Sequence, residues 1–336
     1  MPIIEIAHLV KAFRTPTRQP GFVGGLRTLF TRDYTVTHAV NDVTFAVEAG
    51  ELLSYIGPNG AGKSTTFKML TGVLMPTSGS ITVNGLVPTQ QRRHLVRHIG
   101  VVFGQRSQLW WDLPLADSLR ILQAMYGVSD EAYQARLRLF NDILDLDAFL
   151  TTPVRQLSLG QRMRGELAAA FLHTPPLVLL DEPFLGLDVV AKEHVRQFIA
   201  QTNAEWGTTV LLASNDMADI ERLSRRMLLI DKGQLLYDGT VEALKQRHAP
   251  YRTLVVQFAE DYADPAAADA QIVRREGRRV WFHFARTVNP QRLITELGGR
   301  YGIMDLAIEE PSLEEVIRGL YEHTDVLRTA PQEVPV

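Results

Sequence analysis

The sequence predicts an α/β fold, a mostly parallel core sheet covered on both faces, followed by a small α+β domain. Three observations carry this expectation. An apolar run, residues 52–56, feeds a glycine-rich turn that opens into a stretch of helical spacing at residues 67–70. A second apolar run, residues 177–180, delivers two adjacent carboxylates, Asp181 and Glu182. Near Ala249 and Pro250 the alternation of strands and helices gives way to short strands around a hairpin.

The elements follow in order. Residues 3–6 read as an opening strand and residues 43–47 as the next, with Ala49 and Gly50 turning the chain into the 52–56 run. Between them, residues 14–34 break the pattern with Pro16, Pro20, Gly21, Gly24 and Gly25. Arg14, Arg18, Arg27 and Arg32 surround apolar Leu26, Leu29 and Phe30 there. This is a surface insertion. A loop folded on its own domain is the favoured reading, and contact with anionic lipid is the other. Pro76, Thr77, Ser78 and Gly79 turn into a strand at residues 80–83. Residues 115–149 carry helical periodicity with few β-branched side chains, so a helical subdomain is expected at about 106–172.

Beyond residue 250 the sequence reads as strand 252–258, hairpin 271–285 turning at Glu276 and Gly277, helix 290–297, strand 303–308 and helix 312–321. The expected division is 1–246 and 250–325, with a frayed tail over 326–336. Arg274, Arg275, Arg278 and Arg279 crowd the hairpin tip. Residues 249–336 nevertheless hold 10 Arg, no Lys and 14 Asp plus Glu, a net of −4. A solvated tip is therefore favoured over a nucleic-acid contact.

Composition sets the outer limits. A chain of 336 residues that is 46% hydrophobic can bury the cores of two domains. Its net charge of −3 argues against a general nucleic-acid binder. With no cysteine there are no disulfides or thiolate metal sites, as suits a reducing cytosol. No stretch approaches the ~18 apolar residues of a spanning helix, and Glu5 interrupts the first apolar run, which lacks a cleavage pattern. A role at a membrane is expected to come through a partner.

The chemistry begins at residues 57–65, Gly-Pro-Asn-Gly-Ala-Gly-Lys-Ser-Thr, a G-x-x-x-x-G-K-[ST] turn set between strand and helix. Around Asn59, Gly57, Gly60 and Gly62 let backbone N–H groups cradle phosphate oxygens above the helix N-terminus. Lys63 then reaches the β- and γ-phosphates, the Ser64 hydroxyl ligates Mg²⁺, and Thr65 completes the cradle. The chain is expected to bind a nucleoside triphosphate. Asp181, at the mouth of the sheet, is placed to hold Mg²⁺ through water, and Glu182 to orient or deprotonate the attacking water. Upstream, Leu157-Ser158-Leu159-Gly160-Gln161 opens a helix, with Ser158 as its cap and Gly160 permitting close backbone approach.

Together these motifs resemble the nucleotide-binding subunits of ABC transporters over residues 3–246, in the family's order. Gln105 follows an apolar strand at 101–103, Ser158 to Gln161 match the signature, and Gly186, Leu187 and Asp188 resemble the D-loop. The resemblance implies a P-loop NTPase cassette with antiparallel N-terminal strands and a helical subdomain. It places Tyr34 where an aromatic stacks on adenine, with a plain core tyrosine as the other reading. It also implies a head-to-tail dimer enclosing two ATP molecules. Each site takes Lys63, Ser64, Gln105, Asp181 and Glu182 from one chain. Ser158, Gly160 and Gln161 come from the other, which is a second copy or a related ATPase subunit. Gln105 would link the γ-phosphate to the helical subdomain, which grips membrane permease subunits at the cytoplasmic face. Leu109, Trp110 and Trp111 serve either that grip or the core.

The sequence departs from the family in three places. Leu159 stands where glycine is common, Phe184 follows Asp-Glu-Pro in place of a small hydroxyl residue, and Asn215 occupies the switch-histidine position. An amide can donate a hydrogen bond but cannot take up a proton, so slowed hydrolysis is expected. The segment 309–316, the stretch 104–113 and the insertion resemble the branch that exports drugs, polysaccharides and lipids. The expectation is an ATPase subunit that powers export and sits peripherally on the membrane. The alternatives are a soluble cassette ATPase, disfavoured by a single phosphate loop without heptads, and an ATP-switched regulatory module. Glu182 and the glutamine argue against the latter.

Overall fold

The computed structural model describes residues 2–16, 34–104 and 107–329, with side chains through Tyr321. Most of the 14–34 insertion, Gln105 and the tail from residue 330 onward lie outside the described residues. The chain divides into two units, residues 1–239 and 240–336.

The first unit opens with a long antiparallel ribbon, β1 (Pro2–Pro16) and β2 (Tyr34–Glu48). A third strand, β4 (Ser78–Val83), pairs antiparallel with β1 to give the sheet order β2-β1-β4. The core sheet contains β3 (Leu52–Ile56), β5 (Ile99–Phe103), β6 (Leu177–Asp181), β7 (Thr209–Ser214), β8 (Arg226–Asp231) and β9 (Gln234–Thr240). Their order is β5-β6-β7-β3-β8-β9, and β5 through β8 run parallel to their neighbours in it.

Strand burial alternates between two cores. Leu177 and Leu179 join Ile4, Phe45 and Phe67 on the side of the antiparallel sheet. Val178 and Leu180 join Leu167, Phe171 and Phe198 on the helical side. Both faces are apolar because both are covered, which is why these strands read as unbroken runs.

Helix α1 (Lys63–Leu70) and the single turn α2 (Arg92–Leu95) follow β3 and β4. The helical region comprises α3 (Leu115–Tyr126), α4 (Asp130–Leu144) and α5 (Leu159–Phe171). Helix α6 (Val189–Trp206) leads to β7, and α7 (Met217–Leu223) to β8. Phe198 of α6 meets Phe140 of α4 and Phe171 of α5 edge-on, at centroid distances of 5.5 and 4.9 Å. This aromatic triad ties the helical layer to the sheet, since aromatic edge contacts add to the area buried.

Register decides where the chemistry falls. Ile56 pairs with Ser214, and Asp181 with Ala213. The next residues, Gly57, Glu182 and Asn215, therefore emerge side by side at the carboxyl edge of the sheet, where open α/β sheets hold ligands.

The second unit begins with α8 (Val241–His248), which packs against the terminal helix α10 (Leu313–Thr329). That packing puts the division at residue 239, ahead of the compositional change near Ala249. Its sheet, in the order β11-β12-β10-β13, contains β10 (Tyr251–Phe258), β11 (Ala270–Glu276), β12 (Arg279–Ala285) and β13 (Ile303–Glu309). Helix α9 (Pro290–Arg300) buries Leu293 and Leu297 against Leu254, Val256 and Phe282. The tip arginines are engaged within this unit. Arg275 donates to Asp261 and to two loop carbonyls, Arg278 to the Ala259 carbonyl, and Arg274 and Arg279 flank the Trp281 ring.

Phe198→Ala removes the centre of the aromatic triad. It is expected to cost about 3–5 kcal/mol in urea unfolding of the intact chain.

Candidate functional site

The glycine-rich turn is built by close approach. A side chain on Gly57 would stand 2.3 Å from the Ile230 carbonyl oxygen, and one on Gly62 2.3 Å from that of Ala39. Gly62 has φ 110° and caps α1, so the first helical N–H groups are left pointing into the turn. Lys63 opens the helix and is only 7% exposed. Its ammonium donates to the carbonyl of Gly57 at 2.6 Å, to Pro58 at 3.3 Å and to Asn215 Oδ1 at 2.6 Å. Burial draws its pKa below the usual lysine range, while Glu182 and Asp181 pull it back up.

Asp181 closes β6 with one carboxylate oxygen buried and without a hydrogen-bond partner. Burial raises its pKa, opposed by the Ser64 hydroxyl, which donates to it. An unpaired buried oxygen beside that hydroxyl is the donor set a hard divalent cation takes. Among the described residues no group of three His, Asp or Glu side chains could hold a metal. A cation here would therefore depend on Ser64, Asp181 and ligand oxygens.

Glu182 sits in the left-handed region at φ 56°, a costly conformation for a residue with a side chain. Its N–H is tied to the Ala213 carbonyl at 2.8 Å, and its carboxylate accepts the Asn215 N–H at 3.3 Å. Burial holds the Glu182 carboxyl above the usual glutamate range, against the pull of Lys63. The Asn215 amide then reaches across the turn, and its Nδ2 donates to Asn59 Oδ1 at 2.9 Å. Lys63, Asn59, Glu182 and Asn215 thus form one hydrogen-bonded group, with the Asp181 charge acting on Lys63.

A second group gathers at α5. The Ser158 hydroxyl accepts the Gln161 N–H at 3.2 Å while Gln161 Oε1 accepts the Ser158 N–H at 2.9 Å, a full capping box. Leu159 turns toward the D-loop, and a side chain on Gly186 would stand 2.2 Å from its Cδ2. Gly160 faces Leu187, and Asp188 caps α6 through the Ala191 N–H at 2.8 Å. Among the described residues, the hydrogen bonds of the Ser158, Gln161 and Asp188 side chains stay within this group. Leu159, Leu185, Val189 and Val190 leave this surface apolar and exposed, Val189 at 80%.

Other expected residues fall elsewhere. Gln105 is not among the described residues, although Phe103 pairs with Asp181 and so brings the chain to the acids. Tyr34 is 52% exposed at the outer end of β2, opposite Pro16. It lies five positions, or ~17 Å of strand, from Ala39, which abuts Gly62. Phe13 pairs with Thr37, only two positions from Ala39, with Lys11 over its ring at 5.3 Å. Sequence reasoning did not single out Phe13, because the insertion separates it from the turn in sequence but not in the ribbon. Glu166 was also missed. Buried in α5, it accepts from the Ser107 hydroxyl and from the Gln108 N–H at 3.2 Å, tying the stretch after β5 to the signature helix. Phe184 is buried in the helical core. Trp110 and Trp111 are 37% and 51% exposed, although Leu109 is buried.

This geometry is that of a P-loop nucleoside triphosphatase. Residues 40–185 match the family model described as ABC transporter. The ABC transporter ATP-binding protein NatA of Bacillus subtilis is 32% identical over 209 residues, covering 62% of this chain and 85% of that protein. The Nod factor export ATP-binding protein I of Burkholderia orbicola is 30% identical, covering 79% of this chain and 86% of that one. The methionine import ATP-binding protein MetN of Latilactobacillus sakei is 26% identical over 87% of each chain. A solved ATP-binding subunit of an ABC transporter superposes with a TM-score of 0.62 at 28% identity, over 73% of this chain and 92% of that one. The chain belongs to the ATP-binding subunits of ABC transporters, and its enzymatic class is ATP hydrolysis.

The raised pKa of Glu182 carries a prediction. The folded chain holds that proton more tightly than the unfolded one, so this group's contribution to stability falls as pH rises through the carboxyl range. Glu182→Gln is expected to melt at a higher temperature than the wild type at neutral pH. The difference should vanish below about pH 4. An equal shift at both pH values would exclude the buried charge as its cause.

Proposed function

We propose that this chain is the ATP-hydrolysing subunit of an exporter, that two copies close head to tail on ATP, and that separate membrane subunits carry the cargo. The observation that supports it best is the separation of the two residue groups. Lys63 and its neighbours can hold a triphosphate but leave its outer face open. The capped start of α5 lies beside an exposed apolar surface of Leu159, Leu185, Val189 and Val190, suited to meet a second chain. Contact across that surface would bring Ser158 and Gly160 of one copy over the γ-phosphate held by the other, so ATP joins the two and its cleavage releases them.

Within each site Lys63 exchanges its contact with Asn215 for phosphate oxygens. Ser64 and Asp181 would hold Mg²⁺, which neutralises charge on the phosphates. Glu182 orients the attacking water and accepts its proton, with Gln105 assigned to the same water and cation. Asn215 presents an amide to the γ-phosphate but takes up no proton. Adenine stacking falls to Phe13, which stands nearer the turn than Tyr34. Export draws support from the Nod factor relatives, which are 30% and 32% identical where the methionine import relative is 26% identical. No described helix is long and apolar enough to cross a membrane. We assign Trp110 and Trp111, exposed on the helical region, to the grip on a membrane subunit at the cytoplasmic face.

Turnover of the purified chain tests the chemistry. Asn215→His is expected to raise kcat by roughly 10²–10³ with ATP affinity little changed, and equal rates with brisk wild-type turnover would refute the assignment. Phe13→Ala should weaken ATP binding about tenfold, and Tyr34→Ala much less. The reverse order would return the adenine to Tyr34.

A further inference from the structure

The free edge of the second unit's sheet has a specific self-complementary pattern. β13 pairs with β10 and, among the described residues, with no other strand. Its backbone directions follow from the ladder. The Phe258 N–H donates to the Arg278 carbonyl, on the β12 side, at 2.8 Å. Alternation then sends the N–H groups of Val255 and Gln257 toward β13. Their partners Ala307 and Asp305 face inward, and Leu306 and Ile308 turn their peptide groups outward. The Leu306 N–H fits this, since it donates to Asp305 Oδ1 at 2.8 Å rather than to β10.

The side chains fit the same picture. Leu306 and Ile308 pair with Val256 and Leu254, so they lie on the face that α9 covers. Yet Leu306 is 38% exposed, Ile308 43%, and Met304, at the irregularity that starts the strand, 68%. Edge strands are usually guarded by proline, lysine or a central bulge. From residue 305 to 309 this one has none of them, and its charges are Asp305, whose carboxylate covers one N–H, and Glu309 at the strand's end.

We infer that β13 pairs antiparallel with β13 of a second copy, joining two four-stranded sheets edge to edge. A two-fold axis must pass through one residue of the strand, so that opposed side chains share a face. Three centres give substantial overlap. Centring on Asp305 sets that carboxylate opposite its own copy. Centring on Ala307 sets Asp305 opposite Glu309 twice. Centring on Leu306 sets Leu306 against Leu306, Met304 against Ile308 and Asp305 against Ala307, with no like charges directly opposed. Leu306 also points its peptide groups outward, so the central pair exchanges two hydrogen bonds when the Asp305 carboxylate lets go. Charge and backbone direction select the same register. This contact needs no nucleotide and is separate from the ATP-driven closure.

The cysteine-free sequence makes the test direct. Full-length Leu306→Cys, Asp305→Cys and Ala307→Cys are oxidised mildly without nucleotide. Leu306→Cys should form disulfide dimers roughly tenfold more than either single variant, whose copies would face each other only diagonally at ~7–8 Å. Mixing Asp305→Cys with Ala307→Cys should restore crosslinking between the two. Equal crosslinking at all three positions, or preferential crosslinking of Val273→Cys on the opposite edge strand β11, would overturn the pairing. Crosslinking that appears only after residues 330–336 are removed would do so too, because the tail would then be the occupant. Leu306→Lys keeps an exposed position exposed and leaves ATP turnover unchanged. It should convert a nucleotide-free dimer to monomer in sedimentation at micromolar concentration, and an unchanged sedimentation pattern would refute the proposal.

Discussion

The first unit is organised around one buried ammonium group. Lys63 lies where three parallel strands end, and removing its charge from water is costly unless every N–H finds an acceptor. Two backbone carbonyls of the turn and the Asn215 amide supply them. Asp181 and Glu182 offset part of the desolvation from a distance. The strand order β6-β7-β3 is what makes this possible, because it puts the glycine turn, the acids and Asn215 on adjacent strand ends. A slip of one residue in either register would turn the acids to the other face.

Around that charge the site is divided. One group of residues surrounds a phosphate-sized turn, and another caps a helix whose partly positive end carries no acidic residue in its first turn. Leu159 packs on the D-loop at Gly186, while Glu166 holds the stretch beyond β5 to the signature helix. Glu166 thereby ties the signature helix to the segment that leads into the exposed Trp110 and Trp111. The strained backbone of Glu182 belongs to the same economy. It is held by the Ala213 carbonyl and by Asn215, so the position of the acid depends on strand β7.

How much of this was legible depended on range. The glycine turn and the Ser158 cap are local devices, complete within nine and four residues, and their chemistry could be read where it stood. Strand existence and type were equally plain, because burial on both faces leaves unbroken apolar runs such as Leu177 to Leu180. Long-range pairing was not legible. The bond from Lys63 to Asn215 spans 152 residues. The nearness of Phe13 to the turn arises from a ribbon register that an insertion hides. In the second unit the arginine-rich tip is exposed, as its charge pattern indicated, while the partners of its side chains, their own loop and Trp281, were not legible.

The sequence alone determined that a triphosphate cradle, a paired acid strand and a capped signature helix exist, because each is written in contiguous residues with its own local physics. It also determined that no histidine stands at position 215. Tertiary structure decided which of these meet. Parallel registry brought Lys63, Glu182 and Asn215 together and left Ser158 to face outward. It also exposed the edge of β13, since burial and hydrogen-bond direction belong to the packed sheet and not to the order of its residues.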